Sequence, residues 1–180
     1  MWSRLMYAVA ARLGRDLDER IARLWDRTEL IAPHQIPRAG RVPHVSFQMV
    51  ETPHPHALEL LLREPFPGAP TTIRTSALGV FARPRQVLFL SVVREPALDR
   101  YFQAINVRLM AQGYHLHPLY SPAMWTPHIS LALGPFSPST LCALLRAGTV
   151  YEELQGCWEL GPLCLLGPAT QSGQPATPAS

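Results

Sequence analysis

One pentapeptide pattern occurs twice in this sequence, once in each half of the chain. Residues 43–47 read P-H-V-S-F, and residues 127–131 read P-H-I-S-L. Each copy stands in a run of apolar and β-branched residues, which favours a strand. An internal repeat on this scale indicates two similar halves that face each other. The chain is therefore expected to fold around two matching strands.

The repeat puts equivalent side chains on the same face of each strand. Because side chains alternate with a period of two, His44 points with Ser46, and His128 points with Ser130. The opposite faces are apolar and are predicted to be core faces, carrying Val45, Phe47 and Met49 in one strand and Trp125, Ile129, Leu131 and Leu133 in the other. Burial therefore does not explain either histidine.

Two such strands brought together would place two imidazoles and two hydroxyls around one cavity, which suits hydrolysis of a phosphodiester. One neutral histidine takes a proton from the attacking water, and the other, protonated, gives one to the departing alkoxide. An ordinary pKa of about 6.5 lets both forms of histidine exist near neutral pH. We predict His44 and His128 as catalytic residues and Ser46 and Ser130 as hydrogen-bond donors to the phosphate oxygens. The scheme needs neither a metal nor a cofactor.

Strands and helices alternate along the chain. Strands are predicted at residues 5–10, 42–50, 71–81, 87–93, 125–133 and 158–166. Helices are predicted at residues 17–28 with Asp16 as N-cap, around 57–63, between Pro96 and Gly113, and from Ser137-Pro138 to a cap at Gly148. The helix after Pro96 has a predicted core stripe of Leu98, Phe102, Ile105 and Leu109. This interleaving predicts an α+β fold with mainly antiparallel sheets.

The chain of 180 residues fits a single domain, which is predicted at residues 1–168. Residues 169–180 have no apolar pattern and are predicted to be a disordered tail. No apolar run reaches membrane-spanning length, and the charged stretch 15–27 argues against a cleaved secretory leader. A cytoplasmic protein without membrane partners is therefore expected. The three cysteines have no C-x-x-C spacing and are expected to be reduced, buried thiols.

The basic residues exclude some chemistries, because all 16 are arginine and the chain has no lysine. A Schiff base, a P-loop lysine and a lysyl-nucleotide intermediate are thereby excluded. Arginine binds phosphate well through its planar guanidinium group. A compositional bias explains the exclusive use of arginine equally simply. A net charge of +3 fits a polyanionic ligand but is far below the charge density of a dedicated nucleic-acid coat.

The two motifs resemble those of the 2H phosphoesterase superfamily, and the nearest branch is the 2′-5′ RNA ligase or RNA 2′,3′-cyclic phosphodiesterase group. The most specific match is T-P-H-I-S-L at residues 126–131, supported by L-G-V-F-A-R-P-R-Q-V-L-F-L at residues 78–90. The likeness covers roughly residues 5–166. It implies a bilobal fold with two mainly antiparallel sheets, outer helices and pseudo-two-fold symmetry around a central cleft.

The resemblance also implies roles for the two histidines, which the symmetry of the motifs leaves open. His44 would protonate the leaving 3′ oxygen, His128 would activate water, and the product would be a 2′-phosphate. Ligation of 2′-5′ RNA would be at best a weak reverse reaction. Both motifs carry serine where threonine is common in the family, and Ala132, Leu133 and Gly134 stand where many ligase-branch members have an arginine. The second departure leaves room for a smaller cyclic nucleotide.

Several aromatic and basic residues are candidates for contacts with a base or substrate. Phe81, Tyr7 and Tyr120 could stack on a base, whereas Trp125 falls on a predicted core face. Arg83 could contact phosphate or a flanking nucleotide, as could Arg85, although both are equally well explained as turn residues.

The remaining histidines form the pairs H-P-H at 54–56 and H-L-H at 115–117. Either pair could contribute to a metal site, because positions i and i+2 of a strand share a face. Without a nearby cysteine or carboxylate at ligand spacing, polar loop histidines are the preferred interpretation. A strand that ends at His117 could still reach the rim of the cleft.

Three hypotheses follow for the function. The first is a monomeric cyclic phosphodiesterase that opens 2′,3′-cyclic phosphates of RNA termini or small cyclic nucleotides to 2′-phosphates. The second keeps the chemistry but changes the substrate to a 2′-5′ linked oligonucleotide or a nucleotide-sugar cyclic phosphate. The third is an RNA-binding protein without useful turnover, against which the intact H-x-S motifs argue.

Overall fold

The computed structural model describes residues 5–33, 35, 42–82, 85–146 and 154–167. Its strands are β1 (Leu5–Leu13), β2 (His44–Thr52), β3 (Thr72–Phe81), β4 (Val87–Val92), β5 (His128–Leu133) and β6 (Gly156–Leu166). Its helices are α1 (Arg15–Ile31), α2 (Pro55–Arg63), α3 (Pro96–Ala111) and α4 (Pro138–Arg146), and a short 3₁₀ helix covers Pro118–Tyr120. The predicted tail and the predicted cap at Gly148 lie outside the described residues.

The strands form one six-stranded sheet in the order β2-β1-β6-β3-β4-β5, and all of its pairings are antiparallel. This confirms the predicted α+β class with antiparallel pairing. The two halves of the chain repeat one order of elements, since β1-α1-β2-α2-β3 is followed by β4-α3-β5-α4-β6. β6, the last strand of the second half, joins it to the first half. Its residues 160–166 pair with β1, and its residues 156–159 pair with β3.

The two motif strands, β2 and β5, lie at opposite edges of this sheet but also contact each other. An open sheet brings its edges together only if it curls strongly, which the usual twist of β-sheets favours. The indole Nε1 of Trp125 donates a 2.9 Å hydrogen bond to the carbonyl of Ser46, across this junction. Phe102 of α3 and Phe47 of β2 both stack on Trp125, at centroid distances of 4.0 and 5.6 Å.

The core lies between the apolar sheet face and the helices. The predicted stripe of α3 is buried as expected, namely Leu98, Phe102, Ile105 and Leu109. In α1, Leu17, Ile21 and Leu24 recur at helical spacing and are also buried. Each large apolar side chain contributes about 1.5–3 kcal/mol to the free energy of folding when it is fully removed from water. The packing of the helices against the sheet therefore stabilises its curled shape.

The start of α1 differs from the prediction. The helix begins at Arg15 with Gly14 as N-cap, so Asp16 is in the first turn and makes no capping box. The reason is a close approach to β6: the Gly14 amide donates to the Glu159 carbonyl at 2.8 Å, and a Cβ on Gly14 would lie 2.5 Å from the Glu159 Cβ. Only glycine fits against β6 at this distance, and its position sets where the helix begins.

A bulge in each motif strand shifts the predicted alternation. Neighbouring residues Val9 and Ala10 of β1 pair with Gln48 and Ser46, so Phe47 is an extra residue in β2. Leu131 is the extra residue of β5 in the same way, because Leu88 and Phe89 of β4 pair with Ala132 and Ser130. Both bulges fall on the fifth residue of the repeated pentapeptide.

Two predictions about side-chain burial are corrected. Beyond the bulge of β2, Gln48 and Val50 are buried, and Met49, predicted to face the core, is only half-buried. Leu133 is likewise half-buried while Ala132 is buried. The cysteines are not all buried thiols either, since Cys142 and Cys157 are exposed and Cys164 is half-buried. Cys142 and Cys157 occupy solvent-facing positions of α4 and β6, a placement that spacing alone does not reveal.

Within the described residues, no helix combines the length and the apolar character that crossing a membrane would require.

Candidate active site

His44 begins β2 and is fixed by the chain immediately before it. Its Nδ1 lies 2.7 Å from the carbonyl oxygen of Val42. A carbonyl can only accept a hydrogen bond, so this contact requires the proton of the neutral ring on Nδ1 and leaves Nε2 with its lone pair. The side chain is half-buried. The Nε2 atom of the neutral ring can thus take up a proton.

His128 begins β5 and repeats this arrangement. Its Nδ1 lies 2.7 Å from the carbonyl oxygen of Thr126, again two residues earlier in the chain. The same argument assigns the proton of the neutral ring to Nδ1 and leaves Nε2 available. The repeated pentapeptide therefore produces the same imidazole geometry twice, including the hydrogen-bond distance.

The two imidazoles also influence each other. Burial lowers the pKa of His44 below its ordinary value, opposed by the hydrogen bond to Val42. Burial likewise lowers the pKa of His128, opposed by the hydrogen bond to Thr126, and the positive charge of His44 lowers it further. Protonation of His44 therefore disfavours protonation of His128.

The serines of both motifs share the face of their histidines, as the alternation predicts. Ser46 pairs with Ala10 and Ser130 pairs with Phe89, each beside the strand's bulge. Both serines are half-buried. Beyond its strand, the Ser46 carbonyl accepts from Trp125, and the Ser46 side chain lowers the pKa of Tyr120.

Tyr120, a predicted substrate contact, ends the 3₁₀ helix and lies beside Ser46. Burial raises the pKa of the Tyr120 phenol, and a side-chain hydrogen bond with Ser46 opposes that shift. The ring packs edge-on against His117 at a centroid distance of 6.1 Å. The structure therefore brings Tyr120 to the serine of the first motif, where it can orient the hydroxyl.

A buried amide supports this corner of the site. The Gln48 side chain is fully buried, and its Nε2 donates to Asn106 Oδ1 at 3.1 Å and to the Tyr120 carbonyl at 3.4 Å. Its Oε1 accepts from the amides of Met49 at 2.9 Å and His117 at 3.0 Å. Gln48 thus ties β2 to α3 and to the segment that carries Tyr120. The sequence analysis missed this residue, because the bulge that turns it inward has no distinct sequence signal.

Phe81, another predicted substrate contact, lies against the second histidine. Its ring meets the His128 ring edge-on at 4.9 Å and stacks on Phe89 at 4.2 Å. Phe89 is in turn 5.2 Å from the His128 ring. The two phenylalanines form an apolar wall beside the imidazole, which contributes to the burial that lowers its pKa.

The other predicted contacts have different positions. Tyr7 pairs with Val50 and lies at an odd position of β1, on the face opposite Ala10 and Arg12, so the structure does not bring it to the histidines. Arg83 lies outside the described residues. Arg85 donates from Nε to the Gly134 carbonyl at 3.2 Å, which supports its interpretation as a turn residue.

Arg12 is a cation at the site that the sequence analysis missed. It is exposed and pairs directly with His44 across β1 and β2. The predicted first strand ended at Ala10; continuing the alternation two residues further would have placed Arg12 on the face of Ala10, and the pairing of β1 with β2 makes this the histidine face.

The remaining histidine pairs serve local structure or face solvent. His117 Nδ1 accepts from the Leu119 amide at 3.3 Å and caps the 3₁₀ helix, while His54, His56 and His115 are exposed. Within the part of the chain that the structure describes, no three His, Cys, Asp or Glu side chains are grouped so as to hold a metal ion.

No protein-family model matches this chain, and the search of curated proteins finds no match to it.

Proposed function

We propose that this protein is a phosphodiesterase that opens 2′,3′-cyclic phosphates to 2′-phosphates with two histidines and no metal. The observation that carries the proposal is the matched geometry of His44 and His128. Each ring is oriented through Nδ1 by a carbonyl 2.7 Å away, so the neutral form of each has its lone pair on Nε2. Two oriented imidazoles are the minimal set for paired acid and base catalysis.

In the proposed reaction, one imidazole is neutral and the other is protonated. The neutral Nε2 takes a proton from water as its oxygen bonds to phosphorus. The bond from phosphorus to the 3′ oxygen breaks, and the protonated Nε2 delivers its proton to that oxygen. The product is a 2′-phosphomonoester. At the end of the turnover the base is protonated and the acid is neutral. We assign the acid to His44 and the base to His128 on the family resemblance alone.

The lowered pKa values support such a division of labour. The charge of His44 lowers the pKa of His128, so a protonated His44 favours a neutral His128. That is the state in which His44 acts as the acid and His128 as the base. An anionic phosphate bound between the rings would stabilise the protonated acid and offset part of its burial cost.

The hydroxyls of Ser46 and Ser130 are the proposed ligands of the non-bridging phosphate oxygens. Each lies two residues after its histidine on the same face, so that one phosphate can meet an imidazole and a hydroxyl from each strand. Donors held in place before the reaction stabilise the charge that develops on these oxygens.

We further propose that the fold is bilobal, with pseudo-two-fold symmetry around a cleft between β2 and β5. The repeated order of elements, the shared strand β6 and the matched bulges at Phe47 and Leu131 support this proposal. We also propose that the protein is a cytoplasmic monomer. Its proposed substrates are RNA termini or small cyclic nucleotides.

The test is turnover by the purified protein in EDTA. The substrates are the four nucleoside 2′,3′-cyclic phosphates and a short RNA that ends in a cyclic phosphate, with products resolved into 2′- and 3′-phosphates. Substitutions His44→Ala and His128→Ala are compared with His115→Ala, which changes an exposed histidine. We expect 2′-phosphate from the wild type and the control, and a loss of about 10²–10⁴-fold in either motif variant.

Other results would overturn the proposal in distinct ways. Activity that requires added metal would refute the mechanism. No turnover, combined with RNA binding that survives in all variants, would favour the non-catalytic RNA-binding hypothesis.

A further inference from the structure

The segment between α3 and β5, residues 116–126, is bound along the outer edge of β2, and we call it the connecting segment. Its first residue forms an isolated antiparallel bridge with Val50. Near its end, the Trp125 indole donates to the Ser46 carbonyl at 2.9 Å. Between these two points, the fully buried side chain of Gln48 binds the segment through its amide group.

The Gln48 amide spans the 3₁₀ helix of the connecting segment. Its Oε1 accepts from the His117 amide, just before the helix, at 3.0 Å. Its Nε2 donates to the carbonyl of Tyr120, the last residue of the helix, at 3.4 Å. Only a side chain with both a donor and an acceptor can bind both ends of the helix in this way.

Hydrogen bonds extend this constraint to the second motif. The carbonyl of Ser121, the residue after the 3₁₀ helix, accepts from the Trp125 amide at 2.8 Å. Trp125 is followed by Thr126, whose carbonyl orients the His128 ring through a 2.7 Å contact with Nδ1. The position of that carbonyl therefore depends on the segment that Gln48 binds.

The buried pair of Gln48 and Asn106 is a poor choice for stability alone. Gln48 Nε2 donates to Asn106 Oδ1 at 3.1 Å, and Asn106 is only 5% exposed. Among the described residues, none accepts a hydrogen bond from Asn106 Nδ2. A buried donor without a partner destabilises the folded state, whereas an apolar pair of similar size would avoid that loss. A role of the Gln48 amide in locating the connecting segment accounts for the pair.

We propose that Gln48 is a positioning residue for both H-x-S motifs. It stands two residues after Ser46 in the first motif strand, and the segment that it binds ends at the Thr126 carbonyl that orients His128. Because its side chain is fully buried, Gln48 acts without touching the substrate. This inference rests on the proposed function and adds a residue that sets the relative position of the two motifs.

The experiment separates positioning from stability with three variants. Gln48→Met keeps the approximate size of the side chain and removes its hydrogen bonds. Gln48→Met combined with Asn106→Leu replaces the buried amide pair by an apolar pair. Thr75→Val is the matched control, because it removes another buried side-chain donor, which bonds to the Leu154 carbonyl on the β3 side of the sheet.

Three properties are measured for each variant. Urea denaturation gives the midpoint of unfolding, and steady-state kinetics with adenosine 2′,3′-cyclic phosphate give kcat and KM. NMR gives the hydrogen-exchange rates of the Trp125 and Trp158 indole N–H groups, and their ratio reports on the connecting segment without requiring turnover. Trp158 is the internal reference, because its Nε1 donates to Thr75 Oγ1 at 2.8 Å and not to β2.

In Gln48→Met we expect a lower urea midpoint and a loss in kcat of at least about tenfold, with a smaller change in KM, because the catalytic groups are misplaced. The ratio of the Trp125 to the Trp158 exchange rate should rise about tenfold, since the connecting segment opens more readily. The double variant should have a higher urea midpoint than Gln48→Met but the same low kcat. Thr75→Val should have a lower urea midpoint, the kcat of the wild type and a lower exchange ratio.

The outcomes separate this proposal from the proposed function. A wild-type kcat in Gln48→Met, or a kcat that recovers with the urea midpoint in the double variant, would overturn the positioning role and leave the phosphodiesterase intact. Absent turnover in the wild type would overturn the proposed function instead. The exchange ratio then decides whether Gln48 holds the connecting segment: a rise in Gln48→Met would support it. An unchanged ratio would overturn the positioning role in either case.

Discussion

The indole Nε1 of Trp125 donates a 2.9 Å hydrogen bond to the backbone carbonyl of Ser46, and this bond joins the segment before β5 to β2, the two strands that carry the H-x-S motifs. Trp125 stands three residues before His128, while Ser46 stands two residues after His44. The indole itself is held by stacking on Phe102 at 4.0 Å. The relative position of the two H-x-S motifs therefore depends on one buried side chain that need not touch the substrate.

Replacing Trp125 with phenylalanine should lower kcat/KM more than a substitution that removes an indole hydrogen bond elsewhere in the protein. The change removes a buried donor to the Ser46 carbonyl, which costs about 1–3 kcal/mol of unfolding free energy. It also frees β2 to shift against β5, so kcat/KM should fall at least about tenfold for a misplacement of the catalytic groups. Urea denaturation and steady-state kinetics measure the two effects.

Trp158→Phe is the matched control for this prediction. The Trp158 Nε1 donates to Thr75 Oγ1 at 2.8 Å and to the Leu154 carbonyl at 3.2 Å, on the β3 side of the sheet. Its loss should reduce stability by a similar amount and leave kcat/KM close to that of the wild type. Equal kinetic losses in both variants would contradict a specific role for Trp125.

Tyr120→Phe tests whether the phenol orients the first serine. The substitution removes the hydroxyl that contacts Ser46 but keeps the ring that packs against His117. We expect kcat to fall about three- to tenfold, as one modest hydrogen bond predicts, with little change in unfolding free energy. Tyr114→Phe, which removes the hydroxyl of another half-buried tyrosine, is the control. An unaltered kcat in Tyr120→Phe would remove Tyr120 from the site.

The pH dependence of activity should follow the lowered pKa values of both histidines. The base must be neutral and the acid protonated, so kcat/KM rises through one pKa and falls through the other. Burial lowers the pKa of both groups in the free protein. The maximum of kcat/KM should therefore lie below pH 6.5, the ordinary value for histidine. The maximum of kcat should lie at higher pH, because bound phosphate favours the protonated ring; a maximum of kcat/KM above pH 7 would contradict the shifts.

The same shifts predict how stability changes with pH. A pKa that is lower in the folded than in the unfolded protein means that the unfolded state binds more protons. The contribution of His44 and His128 to stability is therefore present above pH 6.5 and lost as the pH falls through their folded pKa values. The unfolding free energy of His44→Ala should depend less steeply on pH in this range than that of the wild type or His115→Ala. Identical slopes, measured by urea denaturation at several pH values, would contradict burial of His44 as the cause.

The repeated pentapeptide made the motif strands and their chemistry-bearing faces predictable. Period-two alternation is a local property. It therefore assigned His44 and Ser46 to one face of their strand, and His128 and Ser130 to one face of theirs, without any knowledge of the fold. The α3 stripe was predictable for the same reason, because helical spacing is equally local.

The positions that were missed depend on contacts distant in sequence. Gln48 is turned inward by a bulge that only the pairing with β1 reveals, and Gly14 is required by β6, far along the chain. Arg12 was missed because a strand end is set by its partners rather than by its own composition. The hydrogen bond between Trp125 and Ser46 joins residues 79 apart in the sequence, and no periodicity indicates it.

Gly79→Ala tests the apolar wall beside His128. Gly79 pairs with Phe89, and a Cβ at this position would lie 2.3 Å from the Phe89 Cζ atom. The ring has little room to yield, since it stacks on Phe81 at 4.2 Å and lies 5.2 Å from the His128 ring. The added methyl group should cost about 1–3 kcal/mol of unfolding free energy, as overpacking of a filled site does. It should also lower kcat, because the displaced ring pushes on the imidazole.

Gly167→Ala is the control, because the added Cβ would lie within 4 Å of no described residue other than its chain neighbours. Wild-type kcat in a measurably destabilised Gly79→Ala protein would mean that the wall supports the fold without setting the position of His128.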